Sequence, residues 1–242
     1  GWGFTVFDPA SKKMANRNIV KTGFVGFMNA YLLTGDDKYL EPWRKQMDLI
    51  NAQAREKNGV KEYPTMYGDK GWYGYGPTPY TQHRLPIAYL TQKEEDIQRV
   101  EGDNWLEYLQ GKQPEYPVQA LQGELERVRK CVSDFRADDT TPDTRLADDP
   151  MAYAPAQAPM LVQLMLGGLN MGHNASPIYT HLRYFDPVKR RAGLPEDVAV
   201  LVEKLGNEMV QVRLVNVSAV HPRKVTIQAG GYAEHEFTSL QS

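Results

Sequence analysis

The sequence predicts a mainly α-helical protein, built of helical hairpins over residues 1–205 and closed by a small antiparallel β unit over residues 206–242. Two observations carry that prediction. Apolar residues recur at three- and four-residue spacing through most of the chain, and after Val210 the period drops to two. With 242 residues, 41% of them hydrophobic, the chain is long enough to bury a sizeable core in one domain plus a small appendage.

The first helix follows the polar turn Ala15-Asn16-Arg17-Asn18. Its apolar face is Ile19, Val20, Phe24, Phe27, Met28, Tyr31 and Leu32, and Thr34-Gly35 ends it. Asp36 or Asp37 can cap a second helix. Its stripe of Tyr39, Leu40, Trp43, Met47, Ile50 and Ala54 keeps the same period until Asn58-Gly59. So short a connection makes the two an antiparallel helical hairpin.

From Tyr63 to Arg84 glycine and proline are too dense for either a helix or a strand, and the segment reads as an ordered loop. Leu85 to Leu90 and a polar stretch through Gln98 follow, then a short amphipathic piece from Asn104 to Leu109. Val118 to Ala137 is a helix with Leu121, Leu125, Val128, Val132 and Phe135 on one face. Asp138 to Pro159 reads as an extended loop, and Met160 to Leu166 as a short apolar helix stopped by Gly167-Gly168. A short helix is expected from Glu196 to Lys204. Strands are then expected around Val210, Val212, Leu214 and Val217, and again around Val225, Ile227 and Phe237.

Composition removes several classes of function. The net charge is -2 and no long basic run occurs, which speaks against a general nucleic-acid binder. No apolar stretch approaches the ~20 residues of a membrane span. The single Cys131 excludes an internal disulfide and a cysteine-based zinc site, and its helical context suits packing. His173, His181, His221 and His235 show no metal-ligand spacing.

The stretch YLLTGDDKYLEPWRKQMDLI, within residues 19 to 57, resembles the hairpins of (α/α) toroids of the six-hairpin glycosidase and polysaccharide lyase type. In those families a Thr-Gly-Asp turn links an outer and an inner helix, the helices bury their stripes around a central cleft, and a C-terminal β domain commonly follows. The resemblance implies a partial toroid here. The chain offers about three hairpins where a closed ring needs about twice as many, and it starts at Gly1 without an initiator methionine. It is therefore either an open, partial ring or, as is favoured, the C-terminal portion of a longer protein whose missing helices lie on a second polypeptide or are absent from this chain. No catalytic residue is carried over by the resemblance. On the carbohydrate reading, a periplasmic or secreted location is favoured over the cytoplasm.

The aromatic segment YPTMYGDKGWYGYGPTPYTQHR is the leading candidate site. Trp72 and Tyr80 offer flat faces for the C–H surface of a sugar ring, and Asp69, His83 and Arg84 offer polar partners for its hydroxyls. The alternative is a rigid surface loop that packs its own tyrosines. Tyr73, Tyr75, His83 and Arg84 supply the residue types a lyase needs to abstract a proton beside a uronate carboxylate and to neutralise that carboxylate. A hydrolase needs instead two carboxylates ~5 to 10 Å apart. Asp69, Asp143 and Asp148, with Asp149, are the candidates, and their number favours hydrolysis. Asn16 and Arg17 can meet sugar hydroxyls or a carboxylate, with helix capping by Asn18 as the alternative reading. Arg145 sits among the aspartates of the 138–150 segment, where it is either a substrate contact or a structural ion pair. Asp148-Asp149 can also hold Ca²⁺, although no EF-hand spacing is present. Otherwise no cofactor is expected. The competing function is a non-catalytic helical module that binds glycan or protein through the same segment.

Overall fold

The structure is a computed structural model that describes residues 7–8, 13–14, 19–68, 71–81, 83–141, 158–169 and 179–241. The described chain divides into two compact units, one running to Val100 and the other beginning at Glu101.

The first unit opens with a two-residue ladder, β1 (Phe7–Asp8) against β2 (Lys13–Met14). Helix α1 (Ile19–Thr34) ends where expected. Gly35 takes a left-handed φ of 66° and its N–H reaches the Tyr31 carbonyl at 2.7 Å. Asp36 then caps a single 3₁₀ turn, Asp37–Tyr39, by accepting from the Lys38 N–H. Helix α2 (Glu41–Asn51) turns Trp43, Met47 and Ile50 inward, and Trp43 meets the ring of Phe24 of α1 edge-on at 5.2 Å. Helices α3 (Arg84–Thr91) and α4 (Glu94–Ile97) complete the unit, and α3 adds Ile87, Ala88 and Tyr89 to the buried set.

Between α2 and α3 the structure departs from the expected helix and loop. The second helix stops at Asn51, and strands β3 (Arg55–Lys57), β4 (Val60–Gly68) and β5 (Gly71–Gly76) form an antiparallel sheet in the order β3-β4-β5. Asn58 and Gly59 stand at φ 54° and 74°, the two left-handed residues that a tight two-residue hairpin requires. The residues expected to end a helix thus turn a hairpin. Pro64 is tolerated because β3 pairs only with Val60 to Glu62, so the missing N–H lies past the end of that ladder. Gly71 and Gly74 absorb left-handed dihedrals of 97° and 67°.

The second unit contains α5 (Asn104–Leu109), α6 (Tyr116–Ala137) and α7 (Pro159–Leu166). Strands β6 (Leu182–Asp186), β7 (Arg191–Ala192), β8 (Val198–Leu205), β9 (Val210–Asn216) and β10 (Thr226–Ala229) follow. They make two antiparallel sheets, β10-β6-β7 and β8-β9. The helix expected from Glu196 to Lys204 is strand β8. Val198, Val200 and Val202 are β-branched, Val200 and Val202 point inward, and β9 supplies the backbone partner, so period two wins over helix propensity. A bulge between Val202 and Lys204 lets Leu205 return to the buried side. The core joins Trp105, Leu106 and Leu109 of α5 to Leu164, Leu182, Tyr184, Val200 and Val202. The Trp105 indole N–H donates to the Gly168 carbonyl at 3.0 Å, and the Tyr184 hydroxyl to the Met165 carbonyl at 2.8 Å.

These findings overturn the mainly helical toroid. With about 39% helix and 22% strand among the described residues the protein is mixed α and β, and the sheets described are all antiparallel. A hairpin sheet, not a further helical pair, follows α1 and α2, and α4 and α5 have only 4 and 6 residues. Helix α6 also differs from a ring helix that buries its stripe. Leu121, Leu125 and Phe135 stay exposed, while Pro117 and Glu124 are its buried residues. Among the described residues no helix is long and apolar enough to cross a membrane.

Candidate functional site

The β4–β5 hairpin carries five of the aromatic residues of the 63–84 segment, and its register sorts them onto two faces. Tyr63 pairs with Gly76, Pro64 with Tyr75, and Tyr67 with Trp72. Residues directly opposite one another share a face, and neighbours along a strand alternate. Tyr73 and Tyr75 therefore project from one face together with Pro64. Trp72 projects from the other, with Gly74, Gly76, Tyr63 and Thr65.

The Tyr73 and Tyr75 face is partly occupied by the protein itself. The Arg55 guanidinium lies 3.7 Å from the centre of the Tyr75 ring, and its Nε and Nη2 donate to Glu62 Oε2 at 3.1 and 3.0 Å. A planar cation stacked on an aromatic face and held by a carboxylate is a stable arrangement, and it covers that ring. Tyr73 stays 45% exposed.

On the opposite face Thr65 and Gly74 are exposed. Trp72 and Tyr63 are half-buried, and Gly74 and Gly76 place no side chain between them. Four strand positions separate Trp72 from Gly76, so the two ring-bearing ends stand about 13 Å apart along the strand. A Cβ at Gly76 would meet only the Thr65 methyl, at 3.6 Å. The Lys61 ammonium sits 5.4 Å from the Tyr63 ring centre. The result is a strip floored by glycine backbone, walled by an indole and a phenol, and edged by a hydroxyl and an ammonium.

Tyr80, His83 and Arg84 belong to a separate arrangement, at the entry to α3. Asn51, the last residue of α2, donates from Nδ2 to the Tyr80 carbonyl at 3.0 Å and accepts from the Tyr80 N–H at 2.8 Å. This pair of hydrogen bonds to one residue fixes where the chain re-enters the helices after the hairpin. His83 is 3% exposed, stacked on Phe24 at 4.4 Å and 29° and edge-on to Trp43 at 4.9 Å. Burial pushes its pKa down to about 4, so at neutral pH it is an uncharged ring inside an aromatic cluster. The Tyr80 hydroxyl lies 3.4 Å from His83 Nε2, and burial pushes that phenol upward. Arg84 is the first residue of α3 and is half-buried.

Asn16, Arg17, Asp69, Asp143, Arg145 and Asp148 lie outside the described residues, as does Asp149 of the suggested Ca²⁺ pair. Among the described residues no three His, Cys, Asp or Glu side chains are grouped so as to hold a metal. No family model, curated protein or solved structure matches this chain.

Arg55, Glu62 and Lys61 were missed as parts of the site. The signal that finds them is the pair Asn58-Gly59: a two-residue turn there places Arg55 directly opposite Glu62.

Proposed function

We propose that this chain is a carbohydrate-active protein whose first unit binds a poly- or oligosaccharide along the strip between Trp72 and Tyr63. The observation that supports this reading is the placing of Gly74 and Gly76 on the same face as the two rings. A bare backbone floor beside an indole admits the flat C–H face of a pyranose, and Thr65, Lys61 and exposed peptide groups remain for its hydroxyls. A strip about 13 Å long takes more than one sugar ring, which suits a polymer better than a monosaccharide. If the protein also cleaves its ligand, Asp69, Asp143 and Asp148 remain the candidate carboxylates.

Affinity electrophoresis and calorimetry against a panel of neutral and uronate-containing polysaccharides test the reading. The wild-type chain binds at least one of them. Trp72→Ala weakens binding by ~1 kcal/mol or more. Gly76→Val, which fills the floor where a Cβ meets nothing closer than 3.6 Å, blocks binding with the fold intact. Tyr75→Ala, whose ring is already covered by Arg55, changes binding little. Binding that survives both Trp72→Ala and Gly76→Val sinks the proposal. An assay for new reducing ends, or for the unsaturated ends left by elimination, separates a cleaving protein from a binding module.

A further inference from the structure

Helix α6 turns its less apolar side inward and its apolar side outward. Val118, Leu125 and Val132 repeat every seven residues, and so do Leu121, Val128 and Phe135, three positions further on. This is the 3.5-residue period of a coiled-coil seam, sustained over the helix. Yet Val118 is 53% exposed, Leu125 48% and Phe135 57%. The helix meets its own unit through another line, where Pro117 is buried and the buried Glu124 accepts from the backbone N–H groups of Met160 and Leu161 at 3.0 and 2.8 Å.

We propose that this seam pairs with the same seam of a second copy of the chain, antiparallel and about a two-fold axis. Charge complementarity identifies the occupant and the direction. In an antiparallel pair of heptads the core layers are Val118 with Phe135, Leu121 with Val132 and Leu125 with Val128, each occurring twice by symmetry. The residues flanking the seam on its outer side are Glu115, Gln122, Arg129 and Arg136, all exposed. That register sets Glu115 opposite Arg136 and Gln122 opposite Arg129, so each guanidinium meets a carboxylate or an amide and like charges do not meet. A shallow hollow of about 530 Å³, lined by Val128, Val132, Arg129 and Arg136, lies where the partner's Leu121 and Leu125 arrive. A 22-residue helix spans about 33 Å, a short seam, so the pairing is reversible and falls in the micromolar range.

Sedimentation equilibrium of the chain, from about 1 to about 200 μM, tests the proposal. The expected result is a reversible rise from 27.4 kDa to twice that mass. Leu125→Glu, at an exposed position of the central layer, weakens association at least tenfold while the far-ultraviolet circular dichroism stays unchanged. Arg136→Glu sets two pairs of carboxylates against each other and weakens association about tenfold. Glu115→Arg combined with Arg136→Glu restores it. A chain that stays at 27.4 kDa throughout overturns the proposal, as does a dimer indifferent to Leu125→Glu. Failure of the double exchange to restore pairing overturns the antiparallel register.

Discussion

Asp96 grips the buried guanidinium of Arg44 through both oxygens, Oδ1 accepting from Nε at 2.9 Å and Oδ2 from Nη2 at 2.6 Å. The Thr91 hydroxyl donates to Oδ2 at 2.8 Å, and Arg44 Nη1 donates to Glu41 at 2.8 Å. Burial pushes the Asp96 carboxyl upward, but the hydrogen bonds from Arg44 and Thr91 outweigh it and hold the group below the ordinary value. The pair joins α2 to α4 in the interior of the first unit.

Asp96→Asn is expected to cost the first unit about 3 kcal/mol, because it leaves a buried guanidinium short of charge compensation. Arg44→Lys is no rescue, since an ammonium cannot match the two-pronged geometry. Urea unfolding followed by amide exchange in residues 19–100 reads both variants. The sign with pH follows from the depressed carboxyl: its contribution is complete above the unfolded pKa and disappears as pH falls through the folded one. Stability of the unit unchanged by Asp96→Asn would mean the pair only balances its own desolvation.

His83 predicts a second acid-side dependence. A base held neutral by burial binds fewer protons folded than unfolded between about pH 4 and the ordinary value of 6.5, so stability rises with pH across that window and is flat above it. The full swing is about 3 kcal/mol. His83→Phe, which keeps a ring against Phe24 and Trp43, removes this slope while retaining most of the stability at neutral pH. A slope that persists in the variant assigns the effect to another group.

Glu124 acts as a cap supplied from a distant helix, its two oxygens taking the N–H groups at the start of α7. Glu124→Gln keeps one acceptor and is expected to cost about 1 kcal/mol; Glu124→Ala leaves both donors buried and costs about 2 kcal/mol. Thermal melts with exchange protection at residues 159–166 distinguish this from a general loss of helix α6.

Two glycines give opposite expectations for one substitution. A Cβ on Gly168 would lie 1.7 Å from the Tyr179 carbonyl oxygen, so Gly168→Ala must displace backbone and is expected to cost about 3 kcal/mol or more. A Cβ on Gly123, inside α6, meets nothing within 4 Å. Gly123→Ala should stabilise by up to about 1 kcal/mol. Equal melting temperatures for the two variants would contradict both.

Where the sequence was legible, one physical signal acted alone. Helix α1 keeps the 3.6 period from Ile19 and meets its stop at Gly35; α5 and α7 were found the same way, and strand β9 by its alternation. The errors came where two signals shared the same residues. Asn58-Gly59 ends a helix or turns a hairpin with equal local ease, and only the pairing of Arg55 with Glu62 decides between them. Glycines 71, 74 and 76 looked like breakers because a strand built on them has few side chains to pack, but β4 supplies the partner ladder. Val198 to Leu205 was short enough to fit either period, and its partner β9 lies beyond a local reading. The site divided similarly. Tyr73 was legible as a ring the core does not need, and it is exposed, whereas nothing local indicates that Tyr75 is covered by Arg55, or that His83 is sealed between Phe24 and Trp43.

The two hydrogen bonds between Asn51 and Tyr80 join residues 29 positions apart, and the whole β3-β4-β5 sheet lies in the chain between them. Part of the entropy of closing that length of chain is offset at this one side chain, as a clasp would do it. Asn51 and Tyr80 therefore hold the two ends of the sheet lobe together, alongside the packing of β4 on α2. While the clasp is shut, its strands fluctuate only within a fixed perimeter. When it opens, the lobe is released as a unit from the end of α2, and its amides exchange together. A ligand lying on the strip and the state of one asparagine ten or more residues away along the chain would then be linked: whatever holds the lobe still also holds the clasp closed.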